Sequence, residues 1–201
     1  MAYMKTPILG TLPFSLRKLF EILVSRGLSS AHDEIASDPS YHQASGVNDR
    51  GRCFHRKVDS ELYNGLRDFP GIVIRCVPHA CGEYLLLRYG NIEICTKFLR
   101  DRNQEITICE NYQIEKARNN PSGQGQLFDE SEGQNNFFAL LCSGSDQAGE
   151  FAFLHLPSSA LYVMERLDLN PVNATPVSEE IPTQRTRFIA KNDNRKSIEG
   201  A

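Results

Sequence analysis

Residues 83–99 read EYLLLRYGNIEICTKFL, and this stretch decides the fold. Glu83–Tyr89 and Asn91–Leu99 are two extended runs around Gly90-Asn91, where glycine can take the positive φ of a tight hairpin turn. In the second run Ile92, Ile94, Thr96 and Phe98 share one face, and Glu93, Cys95, Lys97 and Leu99 share the other. Upstream, Ile72–Val77 is apolar and β-branched and predicts another strand. Downstream, Glu105–Cys109 predicts a short strand, and Asn136–Cys142 and Glu150–Leu156 predict two strong ones joined by Ser143–Gly149. In the last of these, Phe151, Phe153 and His155 alternate with Ala152, Leu154 and Leu156, so both faces are expected to be buried. Leu161–Leu169 fits either a strand or a short helix.

The residues before this sheet have a different period. Leu12, Leu16, Leu19, Phe20, Leu23 and Val24 recur at helical spacing, which predicts a helix from Ser15 to about Arg26, ended by Gly27. Residues 37–52 (SDPSYHQASGVNDRGR) read as a mobile loop. A short helix is expected from Asp59, an acceptor for first-turn N–H groups, with Leu62, Leu66 and Phe69 on one side and Pro70-Gly71 as its stop. Helices first and hairpins afterwards predict an α+β fold with a largely antiparallel sheet. Residues 1–170 are expected to form one domain, and 171–201 a polar, disordered tail.

The 201 residues are 40% hydrophobic and 23% charged, ordinary for a globular chain with one core. The net charge of -3 gives no global case for nucleic acid or membranes. It is unevenly placed: 47–102 hold ten Lys/Arg against seven Asp/Glu, and 103–150 hold two against eight. Leu16–Val24 is interrupted by Arg17, Lys18 and Glu21, nothing near the start reads as a signal peptide, and a cytoplasmic setting is expected. Six cysteines in such a chain point to reduced thiols or a metal rather than bridges.

Four constellations carry candidate chemistry. Cys53, His55, Cys76, His79 and Cys81 are thiolate and imidazole donors within twenty-nine residues, and zinc prefers such ligands. If 53–55 is extended, Cys53 and His55 point the same way, and Cys76, His79 and Cys81 can converge around Pro78. No Cys-x2-Cys knuckle is present, and core cysteines with a loop histidine account for the same residues. Arg50, Arg52, Arg56 and Lys57, interleaved with Phe54 and His55, suit phosphate or nucleic acid, or form an ordinary basic surface. Glu83, Glu93 and Lys97 on adjacent strands are the candidates for a metal-dependent nuclease or hydrolase, although the spacing is Glu-x3-Lys rather than Glu-x-Lys. Cys142 and His155 can approach across a hairpin as a nucleophile and base, or sit as buried core residues.

Gln124-Gly125-Gln126-Leu127-Phe128-Asp129-Glu130, followed by the apolar hairpin ending in Leu156-Pro157, resembles a recurrent pattern in uncharacterised bacterial proteins found near phage-type regulators and mobile elements. The resemblance covers about 118–157 and implies an accessory protein, with no activity to carry over. Physically, Leu127-Phe128 is expected to anchor the polar connection 117–136 in the core. A patterned core without an assembled acid, base or nucleophile favours a small non-catalytic binding module. Its partner is expected to be a protein, or nucleic acid at the basic cluster. The alternatives are the nuclease and a zinc-stabilised nucleic-acid-binding module.

Overall fold

The computed structural model describes residues 11–43, 46–79, 82–108, 111–118, 120, 136–157, 163–169 and 187–188. Two long helices come first. Helix α1 spans Phe14–Ser37 and α2 spans Val47–Leu66, with a single 3-10 turn at Pro39–His42 between them. The sheet follows as β1 (Ile72–His79), β2 (Gly82–Tyr89), β3 (Ile92–Leu99), β5 (Phe137–Asp146), β6 (Gly149–Pro157) and β7 (Val163–Asp168). Between β3 and β5 lie the short strand β4 (Thr107–Ile108) and helix α3 (Asn111–Arg118). The architecture is α+β, as the patterning predicts.

The six strands lie in the order β1-β2-β3-β5-β6-β7. They form two antiparallel three-stranded meanders, side by side. The seam between the meanders, β3 with β5, is parallel, from Ile92↔Phe137 to Leu99↔Gly144. A parallel pair cannot be joined by a tight turn, so the chain crosses over through β4 and α3. Asn120, two residues after α3 in that crossover, is buried and acts as a surrogate strand residue. Its Oδ1 accepts from Phe138 N at 2.7 Å, and its Nδ2 donates to Phe138 O at 2.9 Å and Pro157 O at 2.5 Å.

Strand alternation sorts the core into two layers. Leu85, Leu87, Ile92, Ile94, Ala139, Leu141, Leu154 and Leu156 face the α1–α2 pair, where Leu16, Phe20, Leu23, Val58, Leu62 and Leu66 meet them. Leu86, Cys95, Leu99, Phe138, Leu140, Cys142, Phe151 and Phe153 face the other side, with Ile106, Ile114 and Ala117 from the crossover. Strand β6 is thus buried on both faces, as expected.

Three expectations about local structure change. Helix α1 does not stop at Gly27 but runs ten residues further, because Gly27 is where α2 crosses it: a Cβ there would lie 2.6 Å from Val58 Cα. Residues 37–52 are not one loop, since the 3-10 turn and the start of α2 occupy much of that stretch. Asp59 lies inside α2 rather than at its start. Within Leu161–Leu169, read as either strand or short helix, Val163–Asp168 forms strand β7. In the expected tail, Arg187–Phe188 forms β8, parallel to β4, and the rest of 171–201 lies outside the described residues. So does Leu127-Phe128.

Candidate functional site

Residues 53–57 are helical, which separates what an extended chain would have aligned. Two positions apart on a helix, side chains diverge by about 200°. Cys53 therefore turns toward α1, buried, with Sγ 3.5 Å from Glu34 Oε1. His55 turns toward the sheet, with Nε2 3.1 Å from Thr96 Oγ1. Cys76 is exposed on β1. Cys81 and the side chain of His79 lie outside the described residues. Among the described residues, no group of three or more His, Cys, Asp or Glu is placed to hold a metal ion.

The basic cluster is largely committed to holding α2 against α1. Glu34 receives Arg56 Nη2 at 2.6 Å on Oε1 and Lys57 Nζ at 2.7 Å on Oε2. Tyr41 Oη also donates to Oε1, at 3.0 Å. Lys57 and then Tyr41 hold the Glu34 carboxyl down at about 2, while Glu34 in turn pushes the Tyr41 phenol up to about 12. Arg50 Nε donates to Tyr41 O at 2.7 Å. Arg52 extends into solvent beside Asp49. Of the four cations, only Arg52 presents its charge with no tie to another element.

The acidic set separates across the sheet. Glu83 shares its face with Leu85 and Leu87, the helix side, whereas Glu93 shares its face with Cys95, the crossover side. One ion cannot bridge two carboxylates on opposite faces. Glu93 instead pairs with Lys116 of α3. Lys97 lies on the Glu93 face, directly across from Cys142.

Cys142 and His155 do share a face. Cys142 pairs with Phe153, and His155 lies one step diagonally beyond. Burial pushes the Cys142 thiol up to about 12 and the His155 imidazole down to about 4. Both are neutral at pH 7, the reverse of the thiolate and imidazolium that a cysteine nucleophile needs.

The most developed polar assembly involves Asp59 and Thr96, which sequence reasoning assigned to a helix start and a strand face and not to a site. The β2–β3 ladder runs from Tyr89↔Ile92 to Leu86↔Cys95 and stops; the next rung would join Leu85 to Thr96. Side chains of α2 occupy that opening. Asp59 accepts from the Leu85 backbone N–H and, at 2.5 Å, from Thr96 Oγ1. His55 Nε2 lies 3.4 Å from the Thr96 carbonyl oxygen, and His55 Nδ1 lies 3.8 Å from Asp59 Oδ2. Desolvation raises the Asp59 carboxyl above its ordinary range, partly opposed by His55 and Thr96. The pair was visible as His55-x3-Asp59, one helical turn apart among Phe54, Val58 and Leu62, once the helix is known to begin before Asp59.

Around this wedge, Phe54 stacks on Phe98 with centroids 4.7 Å apart, and His32 meets Phe54 edge-on. A shallow cavity of about 420 Å³ lies at the other end of the meander, lined by Arg88, Gly90, Asn91 and Asn136. Among the described residues, no helix is long and apolar enough to cross a membrane. No protein-family model, curated protein or solved structure matches the chain.

Proposed function

We propose that the chain is a non-catalytic binding module that engages a protein partner by strand addition along β1. The observation that carries this reading is the eight-residue edge: among the described residues β1 pairs only with β2, so alternate residues direct N–H and C=O groups away from the sheet. Val73, 45% exposed, lies near the start of this edge, and exposed Arg75 and Cys76 lie at its centre. The groups that might have supported catalysis are neutral, paired or on opposite faces, as described above.

The edge also favours one kind of occupant. Arg75 and Arg88 are exposed on the same face, one step apart diagonally across the β1–β2 pair. A second copy pairing antiparallel about this strand would bring Arg75 toward its own counterpart, and like charges across a ladder are destabilising. An extended partner segment with a carboxylate opposite Arg75 fits better. Cys53, Cys76, Cys95 and Cys142 are all unbridged, which supports a reducing, cytoplasmic setting. An accessory role in bacteria or phage rests on the resemblance over 118–157.

The test is photo-crosslinking in cells from a benzoylphenylalanine at position 73, with position 63 on α2, equally exposed, as the control. A discrete protein adduct from 73, absent from 63 and weakened by Arg75→Glu, is the expected result. Adducts of equal yield from both positions, or none from 73, remove this reading.

A further inference from the structure

We infer that His55 and Asp59 form a proton-controlled latch, which holds α2 in the gap between β2 and β3 and competes with closure of the Leu85–Thr96 rung. The same two backbone groups have two possible sets of partners. With the latch in place, the Leu85 N–H goes to Asp59 and the Thr96 carbonyl faces His55 Nε2. With the latch withdrawn, the antiparallel register that runs through Leu86↔Cys95 places Leu85 opposite Thr96, where their backbones can pair with one another. In both arrangements the Leu85 N–H and the Thr96 carbonyl have a partner, and an unpartnered buried backbone group is what would otherwise exclude one of them.

The proton count decides between them. Thr96 Oγ1 donates its hydrogen to Asp59 Oδ1, so it accepts from His55 Nε2, and that nitrogen must carry a proton. His55 Nδ1 then faces Asp59 Oδ2 across 3.8 Å. A proton on either atom makes this contact attractive, as imidazolium with carboxylate or imidazole with carboxylic acid. Without one, a lone pair of the part-exposed imidazole faces the more enclosed Asp59 carboxylate.

The groups around the pair are few. From α2 come His55 and Asp59 themselves. From β3 comes Thr96, and from β2 the Leu85 N–H, with the exposed Glu83 two residues further along that face. From β1, Cys76 lies on the same face opposite Leu85. On α1, the nearby imidazole of His32 packs on Phe54 instead. His55 is the charged group that acts on Asp59. Loss of the shared proton as pH rises therefore weakens the latch, and retention of it strengthens the latch.

The test is NMR of the full chain between pH 5 and 9. Contacts from the His55 ring to Thr96 should fade as cross-strand contacts between Leu85 and Thr96 grow, with a single midpoint for both sets of contacts. The population ratio of the two arrangements should change by about tenfold across this range. His55→Gln, which keeps a hydrogen-bonding side chain but cannot titrate, should abolish the transition, and Asp59→Asn should do the same. If the Leu85 and Thr96 resonances stay fixed across the pH range, or if the transition persists in His55→Gln, the latch is overturned. Should Asp59→Asn fail to fold, the His55→Gln comparison alone decides.

Discussion

Gly27 of α1 lies against the backbone of Val58 in α2, and a Cβ at position 27 would fall 2.6 Å from Val58 Cα and 2.9 Å from Val58 N. Backbone atoms cannot swing aside, so Gly27→Ala must push the helices apart. The substitution gains about 1 kcal/mol in helix propensity. Overpacking costs about 1–3 kcal/mol and here has no rotamer to relieve it, so net destabilisation is expected. Gly65→Ala is the control. Position 65 is exposed, and the atoms nearest its new methyl would be Cδ1, Cδ2 and Cγ of Leu23, a core side chain rather than backbone. Urea midpoints should rank Gly27→Ala well below wild type, with Gly65→Ala closer to it. Equal midpoints for the two variants would show that the crossing is looser than described.

Gly27 also shows where reading the sequence succeeds and where it stops. The alternation in Ile92–Leu99 and Phe151–Leu156 was legible because a strand's two faces are written locally, two residues at a time. A glycine inside a helical pattern is ambiguous, since either a C-cap or a close crossing calls for it, and only the position of Val58 distinguishes them. Asp59 was read as a helix start for a similar reason: an acid before an apolar period looks like a cap. Its real partners, Leu85 and Thr96, are far along the chain. The parallel β3–β5 seam was not legible, because strand patterning does not encode strand order. Cys53 and His55 were placed together by assuming extended backbone, and the helix turned them apart.

Asn120 makes three bonds to the β5 and β6 backbones from a fully enclosed position, and the fold depends on it as on a ladder residue. Asn120→Ala leaves Phe138 N and two carbonyl oxygens without these partners. Each buried orphan costs about 1–3 kcal/mol, so a loss of about 2 kcal/mol or more is expected from denaturant unfolding. Asn120→Asp keeps the acceptor but replaces the donor, so it should also be destabilising at neutral pH. A loss under about 0.5 kcal/mol for Asn120→Ala would mean that other groups or water satisfy β5 at this point.

The four described thiols differ sharply in access. Cys53, Cys95 and Cys142 are buried, Cys76 is exposed, and burial holds the Cys142 thiol near 12. Alkylation depends on access and on thiolate, so within this group iodoacetamide should modify Cys76 first in the native protein. The other three should react only after denaturation. Peptide mapping of a timed reaction checks this directly. Rapid native labelling of Cys142 would contradict its neutral, enclosed state and revive its pairing with His155 as a nucleophile and base.

Glu34 predicts the acid limb of stability. Lys57, then Tyr41, lower its carboxyl from 4.5 to about 2 in the folded chain. A carboxyl depressed by folding stabilises the native state fully above its unfolded value, and that contribution is lost as pH falls through the folded value. The window therefore runs from about pH 4.5 down to about pH 2. Glu34→Gln cannot titrate, so the stability difference between wild type and this variant should be constant above pH 5 and shrink steadily as the solution is acidified. Because Asp146 is depressed in the same direction by Arg102, both proteins will share part of the acid limb, and only the difference isolates Glu34. Glu34 is partly exposed, so added salt should also reduce the difference near neutrality. Thermal unfolding of both proteins across pH 2–7 makes the comparison. Parallel curves over the whole range would show that Glu34 ties α1 to α2 through hydrogen bonds alone, with no net contribution from its charge.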